Sequence, residues 1–202
     1  TPDATAAGQR ALRGRSLGRL TRIEPDAETA KAQFATADNM TESLGALGLL
    51  VRADRADAAL GQFYERWQDN NLVIDKWFAV QASATPPNAA VAKVTALATH
   101  SAFSWENPNR FRSLVGAFAG ANLAGFHSAD GAGYRFLADW LIKLDPVNPQ
   151  TAARTAGVFE TWRHYAEPRQ KLILTQLQRI ADTPKLSKNT AEVIGRILEA
   201  DG

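Results

Sequence analysis

Apolar residues recur along this chain at intervals of three and four positions, which is the spacing of an amphipathic helix. A clear example is the stripe Phe111, Leu114, Val115 and Phe118. Such segments follow one another with short breaks that contain proline, glycine or asparagine, and no segment shows the strict alternation of a half-buried strand. The sequence therefore predicts an all-α fold whose short connections make successive helices antiparallel.

Capping and helix-breaking residues mark the boundaries of these helices. Asp38 or Asn39 is expected to cap the third helix, Asp54 to start the fourth, and Pro168 to open the one before last. Five other helices have both ends marked, at about 1–23, 25–37, 72–84, 88–99 and 187–200.

The stretch from residue 107 to residue 134 carries the most distinctive pattern. Asn107 can accept a hydrogen bond from a free amide at a helix start, and Pro108 suits the first helical position, where no donor is needed. Arg110 and Arg112 flank the apolar stripe on opposite sides. Both arginines can simply be solvated, with their stems covering apolar surface. The alternative for Arg112 is a contact with an anion or a carbonyl group.

A second Asn-Pro start, at Asn148-Pro149, lies 41 residues after the first. Arg154 occupies almost the same place relative to its proline as Arg112 does. A period near 40 is typical of HEAT and armadillo solenoids, so the pattern predicts an α-α superhelix of stacked antiparallel helix pairs. If the two starts are repeats, Arg112 and Arg154 project from the same end of neighbouring pairs and could together bind carboxylate groups.

Composition and charge restrict the function classes. Lys and Arg number 23 against 21 Asp and Glu, so the net charge is only +2, and a nucleic-acid partner is disfavoured. Five arginines form the one basic cluster, which we interpret as the solvated face of the first helix. They are Arg10, Arg13, Arg15, Arg19 and Arg22.

The chain has no cysteine, no signal peptide and no apolar run long enough to span a bilayer. We therefore expect a cytoplasmic protein with no membrane partner. We further expect one domain over residues 1–202, cut from a longer chain, because the sequence begins Thr1-Pro2-Asp3 without methionine.

Motifs for catalysis are missing from the sequence. None of the three histidines has another four residues away, so there is no His-Glu-x-x-His zinc helix. The sequence also contains no Gly-x-Ser-x-Gly elbow and no phosphate loop. His127 and Asp130 are expected to share a structural hydrogen bond rather than a metal. The segment 130–133 is either an anion-binding nest or, as we favour, a plain glycine turn.

Several of these runs together resemble the C-terminal helical domain of the bacterial aminopeptidase N (alanyl aminopeptidase) family of zinc metallopeptidases. The resemblance covers nearly the whole chain in order and is loosest in the last helices. The matching runs are Ala37-Asp38-Asn39-Met40-Thr41, Phe63-Tyr64, Arg66-Trp67-Gln68, Asp75-Lys76-Trp77-Phe78, Gln81-Ala82, Asn107-Pro108-Asn109-Arg110, Arg112-Ser113-Leu114, Gly116-Ala117-Phe118-Ala119-Gly120, Phe126-His127, Asp130-Gly131, Gly133-Tyr134 and Asn148-Pro149-Gln150.

The resemblance implies that this chain is a non-catalytic cap. Zinc and the catalytic residues would belong to an absent earlier domain of the same parent chain, which would be the partner of this one. The cap would enclose the chamber that admits peptides and limit access to it. Arg112 and Arg154 are expected to face that chamber, with Arg110 a weaker candidate. The alternative is a free-standing helical-repeat module that binds another protein.

Overall fold

The structure is a computed structural model that describes residues 3–199. Over that range it contains helices and no strand, which confirms the all-α prediction for the described residues. None of these helices combines the length and apolarity that a bilayer span requires. The chain divides into two compact units, Thr1–Pro86 and Pro87–Gly202.

The first unit contains five helices in its described part. They are α1 (Ala4–Leu20), α2 (Glu28–Thr36), α3 (Met40–Arg52), α4 (Asp57–Trp67) and α5 (Asn71–Ala84). Helix α3 lies at the centre, because it packs against both α2 and α5. The indole Nε1 of Trp77 in α5 donates to the carbonyl oxygen of Leu60 in α4 at 3.0 Å, which joins the last two helices.

Side-chain caps explain where these helices begin. The side-chain oxygen of Asn39 accepts from the amide of Glu42 at 3.0 Å, as the sequence predicted, and satisfies a donor that the helix leaves free. The predicted start at Asp54 is wrong, since Asp54 has a positive φ of 56° and α4 begins only at Asp57. The predicted limits at Thr1 and Ala200 lie outside the described residues.

The second unit contains shorter and less regular elements. They are α6 (Pro87–Leu97), α7 (Pro108–Phe111), a π-helical turn (Arg112–Gly116), α8 (Ala117–Ala121), α9 (Leu123–Phe126), α10 (Ala132–Leu144), α11 (Pro149–Ala156), two 3-10 turns (Gly157–Phe159 and Trp162–His164), α12 (Glu167–Ala181) and α13 (Lys188–Glu199). The single helix predicted after residue 107 is therefore interrupted by the π turn.

Helix α10 organises this second unit. It packs against α6, α9, α11 and α12, and its Tyr134, Leu137, Ala138 and Leu141 side chains are fully buried. The ring of Phe126 in α9 lies 5.3 Å from that of Tyr134 and 5.8 Å from that of Phe118. Edge-on contacts of this kind favour one arrangement of the rings.

Gly133 allows α9 and α10 to approach each other. A Cβ atom added at Gly133 would lie 2.3 Å from the carbonyl oxygen of Phe126 and 2.8 Å from its Cα. These are backbone atoms that cannot rotate aside, so any larger residue would push the two helices apart. Gly195 in α13 offers a control, because a Cβ there would meet nothing within 4 Å.

We predict that Gly133→Ala lowers the free energy of unfolding by about 2 kcal/mol or more, through forced separation of packed elements. The control Gly195→Ala is expected to raise the free energy of unfolding by about 0.5–1 kcal/mol, because alanine restricts the unfolded chain more than glycine does. Urea unfolding followed by tryptophan fluorescence measures both values. An equal effect of the two substitutions would contradict the close approach.

Candidate functional site

The helix start at Asn107 orients the two arginines that follow it. The Asn107 side-chain oxygen accepts from the amides of Asn109 at 3.0 Å and Arg110 at 3.4 Å. Pro108 occupies the first helical position, where its missing donor costs nothing. Both features confirm the sequence prediction for this helix start.

Arg110 points into the protein. Only 5% of its surface is exposed, and its Nη1 donates to the carbonyl oxygen of Ala102. Arg110 thus ties the loop before Asn107 to α7, and the interpretation in which its side chain is solvated is wrong. A charged group at this depth needs such partners, so the structure gives Arg110 a structural role. Its place on a chamber wall stays a prediction.

Arg112 points outward at the start of the π turn. Its side chain is exposed and folds back over α7, where Nε donates to the carbonyl oxygen of Pro108 at 3.2 Å and Nη2 donates to the side-chain oxygen of Asn109. A guanidinium carries five N–H donors, so three remain for a ligand. Single π turns often occur at functional sites, and this one holds an arginine in a defined position.

Arg154 is exposed on α11, and its side chain makes no hydrogen bond or ion pair with any other described residue. The predicted helix start before it is confirmed, because the Asn148 side chain accepts from the amide of Thr151 at 3.0 Å. Arg112 and Arg154 share no hydrogen-bond partner in the described structure. Their convergence on one ligand stays a prediction.

His127 lies between two tyrosines. Its Nδ1 is 2.9 Å from the hydroxyl of Tyr134 and its Nε2 is 2.9 Å from the hydroxyl of Tyr165. The Tyr165 ring lies against the imidazole, with centroids 4.3 Å apart, and Arg169 Nε donates to the His127 carbonyl oxygen at 3.0 Å. The predicted hydrogen bond between His127 and Asp130 is therefore wrong.

Asp130 caps its own turn instead. Its Oδ1 accepts from the amide of Ala132 at 3.0 Å and from the hydroxyl of Ser128 at 2.7 Å. These hydrogen bonds lower the pKa of Asp130 below its usual range. Gly131 has a φ of 66°, which favours glycine. Because a carboxylate of the chain itself occupies the start of α10, the segment is a glycine turn rather than an anion nest.

The surroundings of His127 and Tyr134 favour the uncharged forms of both side chains. Burial, and then the nearby Arg169, lower the pKa of His127 below 6.5. Burial raises the pKa of Tyr134 to about 12. A neutral imidazole has one N–H and one free nitrogen, so it donates to one tyrosine and accepts from the other. Among residues 3–199, no group of three or more His, Cys, Asp and Glu side chains could hold a metal ion.

Comparison with known protein families assigns this chain to one of them. A family model described as a domain of unknown function with ARM repeats, DUF3458_C, matches residues 1–199. The chain belongs to the DUF3458_C family. The predicted fold class, all-α with armadillo-like repeats, is confirmed by this match.

Curated relatives of this DUF3458_C chain are named aminopeptidase N. The protein from Caulobacter vibrioides is 42% identical over 201 residues, which are 97% of this chain and 23% of that protein. Those from Haemophilus influenzae and Escherichia coli are 40% and 39% identical over 168 residues, which are 82% of this chain and 19% of each. The chain thus spans about a fifth of the length of these relatives.

A solved structure has the same fold as this DUF3458_C domain. The crystal structure of Legionella pneumophila aminopeptidase A in complex with aspartic acid matches with a TM-score of 0.90 and 32% identity. The match covers 97% of this chain and 23% of that one. The aminopeptidase resemblance seen in the sequence runs is therefore confirmed by relatives and by fold.

We predict that the DUF3458_C domain loses stability in acid through its two half-buried histidines. Burial followed by a nearby arginine lowers the pKa of both His100 and His127 below 6.5. Below about pH 6.5 the histidines therefore bind more protons in the unfolded state than in the folded state. The free energy of unfolding falls as a result, until the pH reaches the pKa values of the folded state. Urea unfolding between pH 7.5 and pH 5 measures this decline.

Two variants distinguish the contribution of His127 from a loss of stability in acid that has other causes. His127→Gln is expected to flatten the decline, by at most about 1.4 kcal/mol per pH unit, which is the slope for one proton. The matched substitution His164→Gln, at an exposed histidine, is expected to leave the slope unchanged. A decline that is equally steep in both variants would contradict the role of His127.

Proposed function

We propose that this chain is the non-catalytic cap of a zinc-dependent aminopeptidase that removes N-terminal residues from peptides. The longer protein that contains it is called the parent polypeptide below. The cap encloses the active-site chamber and limits which peptides enter, and its partner is the catalytic domain of the same polypeptide. A cytoplasmic location, which suits a chain without cysteine, is part of the proposal.

The proposal rests on how much of each chain the alignment with aminopeptidase N covers. Nearly all of this chain aligns with aminopeptidase N from Caulobacter vibrioides, yet it accounts for only 23% of that protein. The matched region is the C-terminal part. Most of that relative therefore lies outside this helical region, where the proposal puts the catalytic domain. A helical-repeat domain beside a catalytic domain offers an extended binding surface.

The described residues do not fit zinc. His127, which lies in the stretch from residue 107 to residue 134, has both ring nitrogens engaged by tyrosine hydroxyls. Catalytic zinc needs three protein ligands and an open position, and residues 3–199 offer no such group. The proposal accordingly assigns the metal and the bond cleavage to the rest of the parent polypeptide.

Arg112 is the residue of this chain that we assign to the chamber wall first. Asn109 and the Pro108 carbonyl oxygen hold its guanidinium, and a preorganised donor loses little side-chain freedom when it binds. Three free N–H groups suit the C-terminal carboxylate of a short peptide. Excluding water from the enclosed chamber would strengthen this charge interaction. Arg154 is assigned to the same wall from its matching place in the repeat.

Peptide kinetics of the parent polypeptide test this assignment. We predict that Arg112→Gln raises KM for short peptides with a free C-terminal carboxylate on the order of tenfold, the effect of losing one charge-assisted hydrogen bond. KM for the same peptides with an amidated C-terminus is expected to change little. Asn109→Ala, which removes the support of Arg112, should give a smaller change in the same direction.

Controls distinguish a chamber role from loss of the fold. Arg66→Gln removes the same charge from α4, far along the chain from residues 107–134, and is expected to leave both KM values unchanged. Zinc content should be the same in all variants. Equal effects of Arg112→Gln on acid and amide substrates would contradict carboxylate binding, and equal kinetics of short and long peptides in the unaltered protein would contradict the cap.

A further inference from the structure

Helix α1 presents apolar residues to solvent. Leu17 is its one buried residue in a helix of 17. Leu12 and Leu20 are 68% and 41% exposed, and Ile23, just after the helix, is 77% exposed. Most helices in proteins owe their stability to packing of one apolar face, and single exposed apolar residues are common. Three within one short segment instead indicate a surface that a partner covers.

A groove of about 820 Å³ lies beside these residues, between α1, the connection to α2, and the end of α3. Its apolar lining includes Leu12, Pro25, Leu49 and Ala53. Its basic lining consists of four arginines, and we call the whole feature the arginine groove. The four are Arg15, Arg19, Arg22 and Arg52. The first three follow α1 and its end at intervals of four and three residues, so they share one face.

These four arginines lack the acidic partners that neighbouring arginines have. Arg13 pairs with Glu42 at 2.7 Å, and Arg55 pairs with Asp26 at 3.6 Å. By contrast, the guanidinium groups of the groove arginines make no hydrogen bond or ion pair within residues 3–199. An arginine stays protonated, so four of them along one groove create a positive potential that attracts an external anion.

The one acid in the lining offsets only one of these four charges and forms no ion pair with them in the described residues. Glu24 accepts from the amide of Thr29 at 3.0 Å and from its hydroxyl at 2.5 Å, so its carboxylate is used to cap the start of α2. These two hydrogen bonds lower the pKa of Glu24. The groove therefore combines apolar surface with four guanidinium groups that are free to bind.

We infer that the arginine groove seats an acidic, apolar segment of the parent polypeptide, a step that rests on the proposed function. Carboxylates of that segment pair with the guanidiniums, which hold planar oxyanions in two-pronged contacts, and its apolar side chains cover Leu12 and Ile23. The groove has no aromatic lining, so it offers no platform on which the bases of a nucleic acid could stack.

The length of the relatives supports an occupant from the same polypeptide. About four-fifths of each curated relative lies outside the region that this chain matches. A segment of that remainder is tethered to the groove, so it competes at a high effective concentration against any separate partner. The same tether makes a modest contact area sufficient for stable docking.

Cysteine labelling of the parent polypeptide tests the inference, because this chain contributes no cysteine of its own. Leu12→Cys probes the groove, and Leu72→Cys is its control, since Leu72 is 70% exposed against 68% for Leu12. Other cysteines of the parent polypeptide are replaced beforehand. Maleimide labelling in buffer, relative to labelling in denaturant, is expected to be at least tenfold slower in the Leu12→Cys variant than in the Leu72→Cys variant.

Charge reversal tests the chemistry of the occupant. Arg15→Glu with Arg19→Glu, added to Leu12→Cys, is expected to restore labelling to within a factor of two or three of the Leu72→Cys control. Arg10→Glu with Arg66→Glu makes the same change of charge within the first unit but outside the groove, breaks no ion pair within residues 3–199, and should leave the thiol at position 12 protected. Raising the salt concentration should speed labelling at position 12 because ions screen the paired charges.

Each other outcome overturns the inference. Equal labelling of the two thiols would mean that nothing covers the groove in particular. Protection that disappears on dilution would identify a second copy as the occupant. Protection that survives reversal of Arg15 and Arg19 would exclude the acidic segment. These measurements involve no substrate, so they can fail while the peptide kinetics of Arg112→Gln still support the cap.

Discussion

The second unit depends on the contact between two backbones, where Gly133 meets Phe126. With a Cβ position only 2.3 Å from the Phe126 carbonyl oxygen, only glycine allows α10 to lie this close to α9. The contact places Phe126 among Phe118, Tyr134 and Phe159. It also fixes the residue that follows, His127, where two tyrosine hydroxyls can reach both ring nitrogens.

Local chemistry was readable from the sequence, because it depends on neighbours along the chain. The caps at Asn39, Asn107 and Asn148 all bond to amides two or three residues away, and each was predicted. The all-α class followed from periodicity in the same way. The start of α4 was misplaced because a positive φ at Asp54 delays the helix, and aspartate alone does not signal that conformation.

Contacts between residues that are far apart along the chain could not be predicted from the sequence. Tyr165 reaches His127 from 38 residues away, so the nearby Asp130 was the natural but wrong partner. Arg110 and Arg112 look alike in sequence, yet one is buried on the Ala102 carbonyl oxygen and the other is exposed. What separates them is the loop before Asn107 and the π turn after Phe111, and neither has a local pattern that predicts it. The basic cluster of α1 was interpreted as one solvated face, whereas the structure divides it into paired and unpaired arginines.

The chain of hydrogen bonds through His127 runs in one direction. The Tyr134 side chain is fully buried, and within residues 3–199 its hydroxyl contacts His127 Nδ1. If Nδ1 carried the imidazole proton, the hydroxyl hydrogen of Tyr134 would be a buried donor without an acceptor, which is costly. Tyr134 therefore donates to Nδ1, and the proton of the neutral imidazole lies on Nε2, from which it is donated to Tyr165. The burial of one hydroxyl group thus selects the tautomer of a half-buried ring.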